Sequence, residues 1–384
     1  MLLPEIPTPL PSPRISPSLY EDLLSCWAKA SWHIGGVRKS LPAHPAALLG
    51  TSFHGVLEAV HKAEITGTFD EKRATARVVF DRLASEAYEN SHPLLRMKFP
   101  TPDRLPYYNQ QRELAAFLAA ETEEPKGGSS SAHYGSGGAE RWFESPDGVI
   151  RGRPDFLDAA NHEVIDYKTG RVEEGGGVVT DREKRQLALY AYLAHESGIS
   201  VERGRIVRAN GLQAVQEILP EDSVAEAVAA RALLAEYNEA APISSFRSLA
   251  SPSPEGCATC DCKPLCEAFW NAADDDWQQE CGTHVEGEIV ECSPPSDVQG
   301  ATLITVKIRP TRGTVISDGD ITIPQIPLAW FTADDDRPPE AGDLVRLVEG
   351  RLVKEDEPVT VQGDRIMTTV WRVDGYGSQT RDRD

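Results

Sequence analysis

The chain has 384 residues, 40% of them hydrophobic and 26% charged, enough to bury one large core or two moderate ones without disulfides. No apolar run approaches the ~20 residues of a membrane span and no basic-then-apolar leader opens the chain, so a soluble cytoplasmic protein without membrane contact is expected. The net charge of −21 is uneven, with 13 basic and 12 acidic groups in residues 1–120, 13 and 22 in 121–240, and 13 and 26 in 241–384; this argues against strong non-specific duplex binding, and a nucleic-acid partner would need a local basic groove.

Residues 1–15 contain five prolines, which predicts an extended arm. Ser16 can cap a following helix with Pro17 at its first position, and Leu19, Leu23 and Trp27 form an apolar stripe. Cys26, near the end of that helix, reads by itself as a small buried residue. Gly50 to Lys62 predicts a second amphipathic helix with Phe53, Val56, Leu57 and Val60 inward and His54, Glu58 and His61 along one flank. Their spacing is not the H-E-x-x-H pattern. His54 is therefore expected either as one ligand of a metal site completed elsewhere or as a hydrogen-bonded histidine at a core edge. Residues 65–120 read as helical and charged. From 121 to 140 the chain turns to glycine and serine, a flexible insertion or a lid.

Gly152 to Lys168, G-R-P-D-F-L-D-A-A-N-H-E-V-I-D-Y-K, carries the chemistry. Val149 to Leu157 and the run opening at Val164 predict a β-hairpin. Strand side chains alternate, so Asp166 and Lys168 share a face, with Asp155 close by on the partner strand. Two carboxylates on one face repel unless a cation lies between them, and Mg²⁺ held by Asp155 and Asp166 beside Lys168 suits phosphodiester hydrolysis. D-x-K alone is common in plain surface hairpins, so support is needed from elsewhere.

After a glycine-rich turn from Thr169 to Gly177, Asp181 is placed to cap a mostly buried helix containing Leu187, Leu189 and Leu193. Gln186 and Tyr190, four apart, stack on one face, where they can hold a phosphate or a water, with Lys184 and Arg185 near to attract a backbone. A hairpin over Val201–Ala209 and Gly211–Leu219 and a helix over Ser223–Tyr237 follow.

Gly256 to Cys266 reads G-C-A-T-C-D-C-K-P-L-C. Four thiols packed so closely in a cytoplasmic chain point to metal coordination. Zinc on Cys257, Cys260, Cys262 and Cys266 is one reading; an iron-sulfur cluster completed by the distant Cys26 is the other, and the spacing does not choose. From Thr283 to Asp384, alternating runs at Val285–Cys292, Thr302–Ile308, Asp343–Glu349 and Thr368–Val373 predict a small antiparallel, OB-like barrel. Trp330, Phe331 and Trp371 are its candidates for stacking single strands. Its acidity favours a partner-protein surface instead.

Taken in order, the S-P-S-L helix near Cys26, G-x3-H at Gly50 and His54, G-R-P-D, D-Y-K, Q-x3-Y and the closing cysteines resemble the RecB-like PD-(D/E)XK nucleases over residues 15–270. The iron-sulfur branch, which includes the AddB nuclease domain and the CRISPR-associated adaptation exonucleases, is the most similar. The resemblance implies an α/β fold, a mixed central sheet flanked by helices; the nuclease domain is expected over residues 16–280, with the β-rich tail at 283–384 as a separate domain. It implies that His54, Asp155, Asp166 and the Tyr167 carbonyl bind Mg²⁺ or Mn²⁺, that Lys168 assists the attacking water, and that Gln186 and Tyr190 position the nucleic acid or the lysine. It further implies a 4Fe-4S cluster on Cys26, Cys257, Cys260 and Cys266. Asp166 replaces the commoner glutamate, and Cys262 is surplus to the pattern. The expected activity is a metal-dependent DNA nuclease acting on free ends or single strands, in repair or defence against foreign DNA. A non-catalytic iron-sulfur scaffold within a larger complex is the alternative, disfavoured because every catalytic position holds a competent residue. No G-x4-G-K-[ST] occurs, so an ATPase partner would have to be another chain.

Overall fold

The computed structural model describes residues 1–4, 8–122, 138–139, 141–169, 177–208, 211–298, 300–315, 317–332, 337–354, 358–364 and 366–373. Most of the expected insertion at 121–140 and of the glycine-rich turn after Thr169 lies outside them.

Helix α1 (Pro17–Ser25) starts as its sequence dictates: Ser16 Oγ accepts from the Leu19 N–H at 3.2 Å, and Pro17 needs no hydrogen-bond partner for its nitrogen. It ends at Cys26, whose extended backbone separates it from α2 (Trp27–Ile34). Helices α3 (Pro45–His61), α4 (Phe69–Glu89), α5 (Pro93–Lys98) and α6 (Tyr108–Glu121) follow, α4 opening with a reciprocal Thr68–Glu71 capping box.

Short strands β1 (Gly138–Ala139), β2 (Phe143–Glu144), β3 (Arg151–Gly152) and β4 (Phe156–Asp158) precede β5 (Glu163–Lys168). The predicted hairpin is therefore shorter than expected. Pro154 has no N–H for a ladder, so the first strand breaks there; β3 pairs with β2 in a ribbon of its own, and only β4 pairs with β5. Helix α7 (Asp181–Glu196) links β5 to β6 (Arg203–Arg208), which lies parallel to it, and β7 (Gln213–Glu217) completes a sheet ordered β1-β4-β5-β6-β7. The cap of α7 is Thr180, with Glu183 reaching back, in place of the expected Asp181. Alternation along the strands sorts the layers: Val164 and Ile206 join the core containing α7, while Tyr167 and Val207 join the core of α3, α4 and α6. A mixed sheet between helical layers results, with α8 (Pro220–Ala240) packed against α7.

The tail closes into a barrel. Strands β8 (Thr283–Cys292), β9 (Ser296–Val298), β10 (Ala301–Gly313), β11 (Ile321–Pro327), β12 (Leu344–Lys354), β13 (Thr360–Gly363) and β14 (Thr369–Arg372) form one sheet. The ring runs β8-β10-β11-β13-β12 and back to β8, antiparallel except for β11 on β13. This is the closed five-stranded Greek-key arrangement of an OB-like barrel, filled by Val285, Ile289, Val306, Ile308, Ile321, Ile323, Leu347 and Val361. Trp330, Phe331 and Trp371 are 5%, 1% and 1% exposed. They are core residues and are not available to stack on bases, which corrects the expectation for these three. Described residues near the N-terminus are tied down: the Met1 amino group donates to Phe331 and Val370 carbonyls, and Ile15 bonds Val149 and Arg151. Among the described residues, no helix is long and apolar enough to cross a membrane.

His284 sits at the seam where β8 leaves the cysteine segment, wholly buried. Its Nε2 donates to the Cys281 carbonyl at 2.7 Å and its Nδ1 accepts from the Glu349 N–H at 3.2 Å. Burial first, and nearby Lys263 second, push its pKa down to about 3. Between that value and ~6.5 the unfolded chain binds a proton that the folded chain refuses, so stability falls as the pH drops through this window, by on the order of 5 kcal/mol across all of it. Urea titrations at stepped pH should show this acid slope in the native protein and a shallower one in His284→Gln; parallel slopes would count against the assignment.

Candidate active site

The break at Pro154 does more than shorten a strand. It leaves Asp155 at a bend beside the C-terminal half of β5, where its Oδ2 accepts from the Tyr167 N–H at 2.7 Å. From the other side α3 delivers His54, whose Nδ1 lies 3.2 Å from Asp155 Oδ1. One turn earlier, Gly50 packs so closely on Thr169 that a Cβ there would meet its hydroxyl at 2.9 Å. A side chain at position 50 would force either the Thr169 side chain or α3 to shift.

Asp166 and Lys168 face α7, two residues apart as the strand period requires. Lys168 Nζ lies 2.8 Å from Asp166 Oδ2 and donates to Gln186 Oε1 at 2.8 Å, and Gln186 Nε2 donates to Asp166 Oδ1 at 2.8 Å. Tyr190, one turn along α7, has its hydroxyl 3.3 Å from the same amide nitrogen. Gly152 gives the tyrosine room: a Cβ there would lie 3.0 Å from its ring. His54, Asp155, Asp166, Lys168, Gln186 and Tyr190 thus form one connected group, assembled from α3, the β3–β4 bend, β5 and α7.

The electrostatics are those of a site short of positive charge. The Asp166 side chain is 5% exposed. Burial raises its pKa, Asp155 adds to the rise, and Lys168 opposes it. An imidazole and two carboxylates are a donor set suited to a hard divalent ion, and such an ion would relieve the cost of ionising Asp166. Among the described residues, however, no three His, Cys, Asp or Glu groups are drawn together tightly enough to grip one ion. The hydrogen bonds say why: Asp155 is turned onto His54 and Tyr167, and Asp166 onto Gln186 and Lys168. Tyr167 itself points its ring into the opposite layer, so only its backbone faces the site.

Other sequence candidates go elsewhere. His61 stacks on Phe156 at 3.8 Å, with Nε2 3.3 Å from the Tyr167 hydroxyl, and burial holds its pKa down to about 4. Glu58 pairs with Lys62. The flank of α3 is thus no three-ligand site. Arg185 is clamped on Glu21, and Lys184 holds Asp181. Gln111, which the sequence did not single out, is buried and donates to the Thr169 carbonyl at 3.2 Å, fixing the chain just past Lys168. A lone glutamine in a charged helix carries no signal of that.

A second constellation lies at the C-terminal end of α1. Cys26, Cys257, Cys260 and Cys266 line one cavity together with Lys29 and Lys263. Cys262 is absent from its wall; it is fully buried and hydrogen-bonded to the Cys260 thiol. That bond, ahead of the opposing effect of burial, lowers the Cys260 pKa, whereas burial pushes Cys257 up to about 11 and Cys266 up to about 12. The four thiols surround a space without being drawn to a single point.

A family model described as the PD-(D/E)XK nuclease superfamily matches residues 14–267. No curated protein matches the chain. The match covers the mixed sheet, its helices and both constellations, and with them the chain belongs to the PD-(D/E)XK nuclease superfamily, phosphodiester-hydrolysing enzymes that act on nucleic acid.

Proposed function

We propose that the chain is a DNA nuclease of the RecB-like iron-sulfur branch, dependent on Mg²⁺ or Mn²⁺, that attacks free ends or single strands in DNA repair or in defence against foreign DNA. Residues 16–280 are its nuclease domain and 283–384 its barrel domain. The observation that carries the reading is the linked set Asp155, Asp166, Lys168 and Gln186, with His54 closing it.

His54, Asp155, Asp166 and the Tyr167 carbonyl would hold the ion. When bound there, a divalent ion supplies Lewis acidity toward the phosphate and lowers the pKa of a coordinated water. Lys168, released from Asp166, turns its ammonium to the attacking water and to the charge that grows on the phosphate oxygens. Gln186 keeps that ammonium within reach through Oε1, and Tyr190 holds the Gln186 amide in place. A time course on an end-labelled single strand and the matching duplex tests this. Degradation with Mn²⁺ that EDTA stops is expected, fastest on the single strand or from ends; intact substrates after prolonged incubation would overturn the reading.

The cysteine cavity is proposed to hold a 4Fe-4S cluster on Cys26, Cys257, Cys260 and Cys266. A zinc ion needs its thiolates gathered at one point, whereas a four-iron cluster fills a space between them, and Cys262 does not line that space. Anaerobically purified protein is expected to be brown, with broad visible absorbance that Cys257→Ser abolishes. A colourless preparation containing one equivalent of zinc would contradict it. The acidic barrel, its large aromatics buried, is proposed to bind a partner protein.

A further inference from the structure

The ribbon β2–β3 carries an aromatic and basic surface that the site described above does not use. In a chain of net charge −21, residues 141–153 hold Arg141, Arg151 and Arg153. Within the same stretch, Glu144 is engaged by Arg14 at 3.4 Å and Asp147 by Arg231 at 2.8 Å, both arginines from elsewhere in the chain. Trp142 stands among them, 54% exposed. The Arg151 guanidinium lies over its ring at 4.0 Å and that of Arg153 at 5.6 Å. Arg141 covers Phe143 at 5.2 Å. The register explains the grouping. Phe143 pairs with Gly152, so Trp142 falls opposite Arg153, and Arg151 is its diagonal neighbour. Gly152 and Pro154 are buried while Arg151 and Arg153 reach solvent. The ribbon thus turns Phe143, Gly152 and Pro154 inward, and Trp142, Arg151 and Arg153 outward.

An exposed indole bearing guanidinium groups, a few residues from a carboxylate of a nuclease site, has a specific chemical partner. We propose that Trp142, Arg151 and Arg153 form a platform for single-stranded nucleic acid, with an unstacked base on the indole and the adjoining phosphates on the arginines, delivering the strand to Asp155. Arg153 is two residues from Asp155, about 7 Å of extended chain. Bases inside a duplex hide their faces, so the platform selects single strands or splayed ends. The inference rests on the nuclease reading only for where the strand leads.

Binding is therefore measured with EDTA present, so that no cleavage intervenes, by anisotropy of a labelled thymidine oligonucleotide. Trp142→Ala should weaken binding by about tenfold, as expected for one lost base–aromatic stack, and Trp142→Phe should retain most of it. The double variant Arg151→Gln/Arg153→Gln should weaken it as well and flatten its dependence on salt. A duplex of the same sequence should be indifferent to Trp142→Ala. In cleavage assays Trp142→Ala should raise KM with little change in kcat. Unchanged single-strand affinity in Trp142→Ala, or an equal loss for the duplex, overturns the platform. Trp142-dependent binding by a protein that never cleaves would uphold the platform and sink the nuclease reading, so the two failures are distinct.

Discussion

Asp166→Asn should abolish cleavage and leave the protein at least as stable as before. The buried carboxylate is costly to ionise, since burial and Asp155 both raise its pKa. Its neighbours repay only part of that cost, Lys168 being about a third exposed. An asparagine keeps the shape and one oxygen for Gln186 Nε2, while it removes the buried charge. In the proposed site the same charge is what holds the ion, so its loss removes several kcal/mol of transition-state stabilisation, on the order of a thousandfold in rate. Lys168→Ala should cost about 10²- to 10⁴-fold in the same assay, the range for a group that handles the attacking water's proton. Thermal unfolding and cleavage measured on the same preparations separate function from folding. An Asp166→Asn protein that unfolds well below the native one, or that cleaves normally, would refute the assignment.

The second large effect belongs to the seam between the cysteine segment and the barrel. Arg346 on β12 is fully buried. It donates to Glu286 at 2.7 Å and to the Pro264 carbonyl at 2.6 Å, pairs with Glu267, and covers the Trp270 ring at 5.2 Å. Pro264 lies inside the cysteine run, and Glu267 directly follows Cys266. Removing the guanidinium strands the Pro264 carbonyl and leaves the buried Glu286 carboxylate, with Glu267, to Arg312 alone. A loss of about 3 kcal/mol is expected for Arg346→Ala, at the low end for a broken buried pair because Arg312 remains. The cysteine run should loosen with it. Denaturant titration and proteolysis between residues 250 and 280 would check this; a variant as stable and as resistant as the native protein would show that the barrel does not brace the cysteine run.

Local signals in the sequence placed what local physics controls. The Ser16 cap, the inward stripe of α3, and the pairing of Asp166 with Lys168 and of Gln186 with Tyr190 all follow from one period or one cap. The misses come from longer-range causes. β11 reads I-T-I-P-Q-I-P, and its prolines disguise a strand that a barrel tolerates because closure supplies its neighbours. β13 is four residues long and pairs in parallel with β11, a contact no local pattern announces. Trp330, Phe331 and Trp371 looked like a binding surface because aromatics in an acidic tail suit one, yet the barrel needed their volume. Cys26 carried no local hint of Cys257, 231 residues away; only the resemblance to a family linked them before the cavity did.

The claim underlying the rest is that His54, Asp155 and Asp166 share one cation. Titration calorimetry of Mn²⁺ into the purified protein tests it most directly. The account predicts binding to the native chain that is lost in Asp155→Asn and weakened in His54→Ala, with the fold of both intact by circular dichroism. Mn²⁺ binding that is equally tight in all three proteins would contradict it.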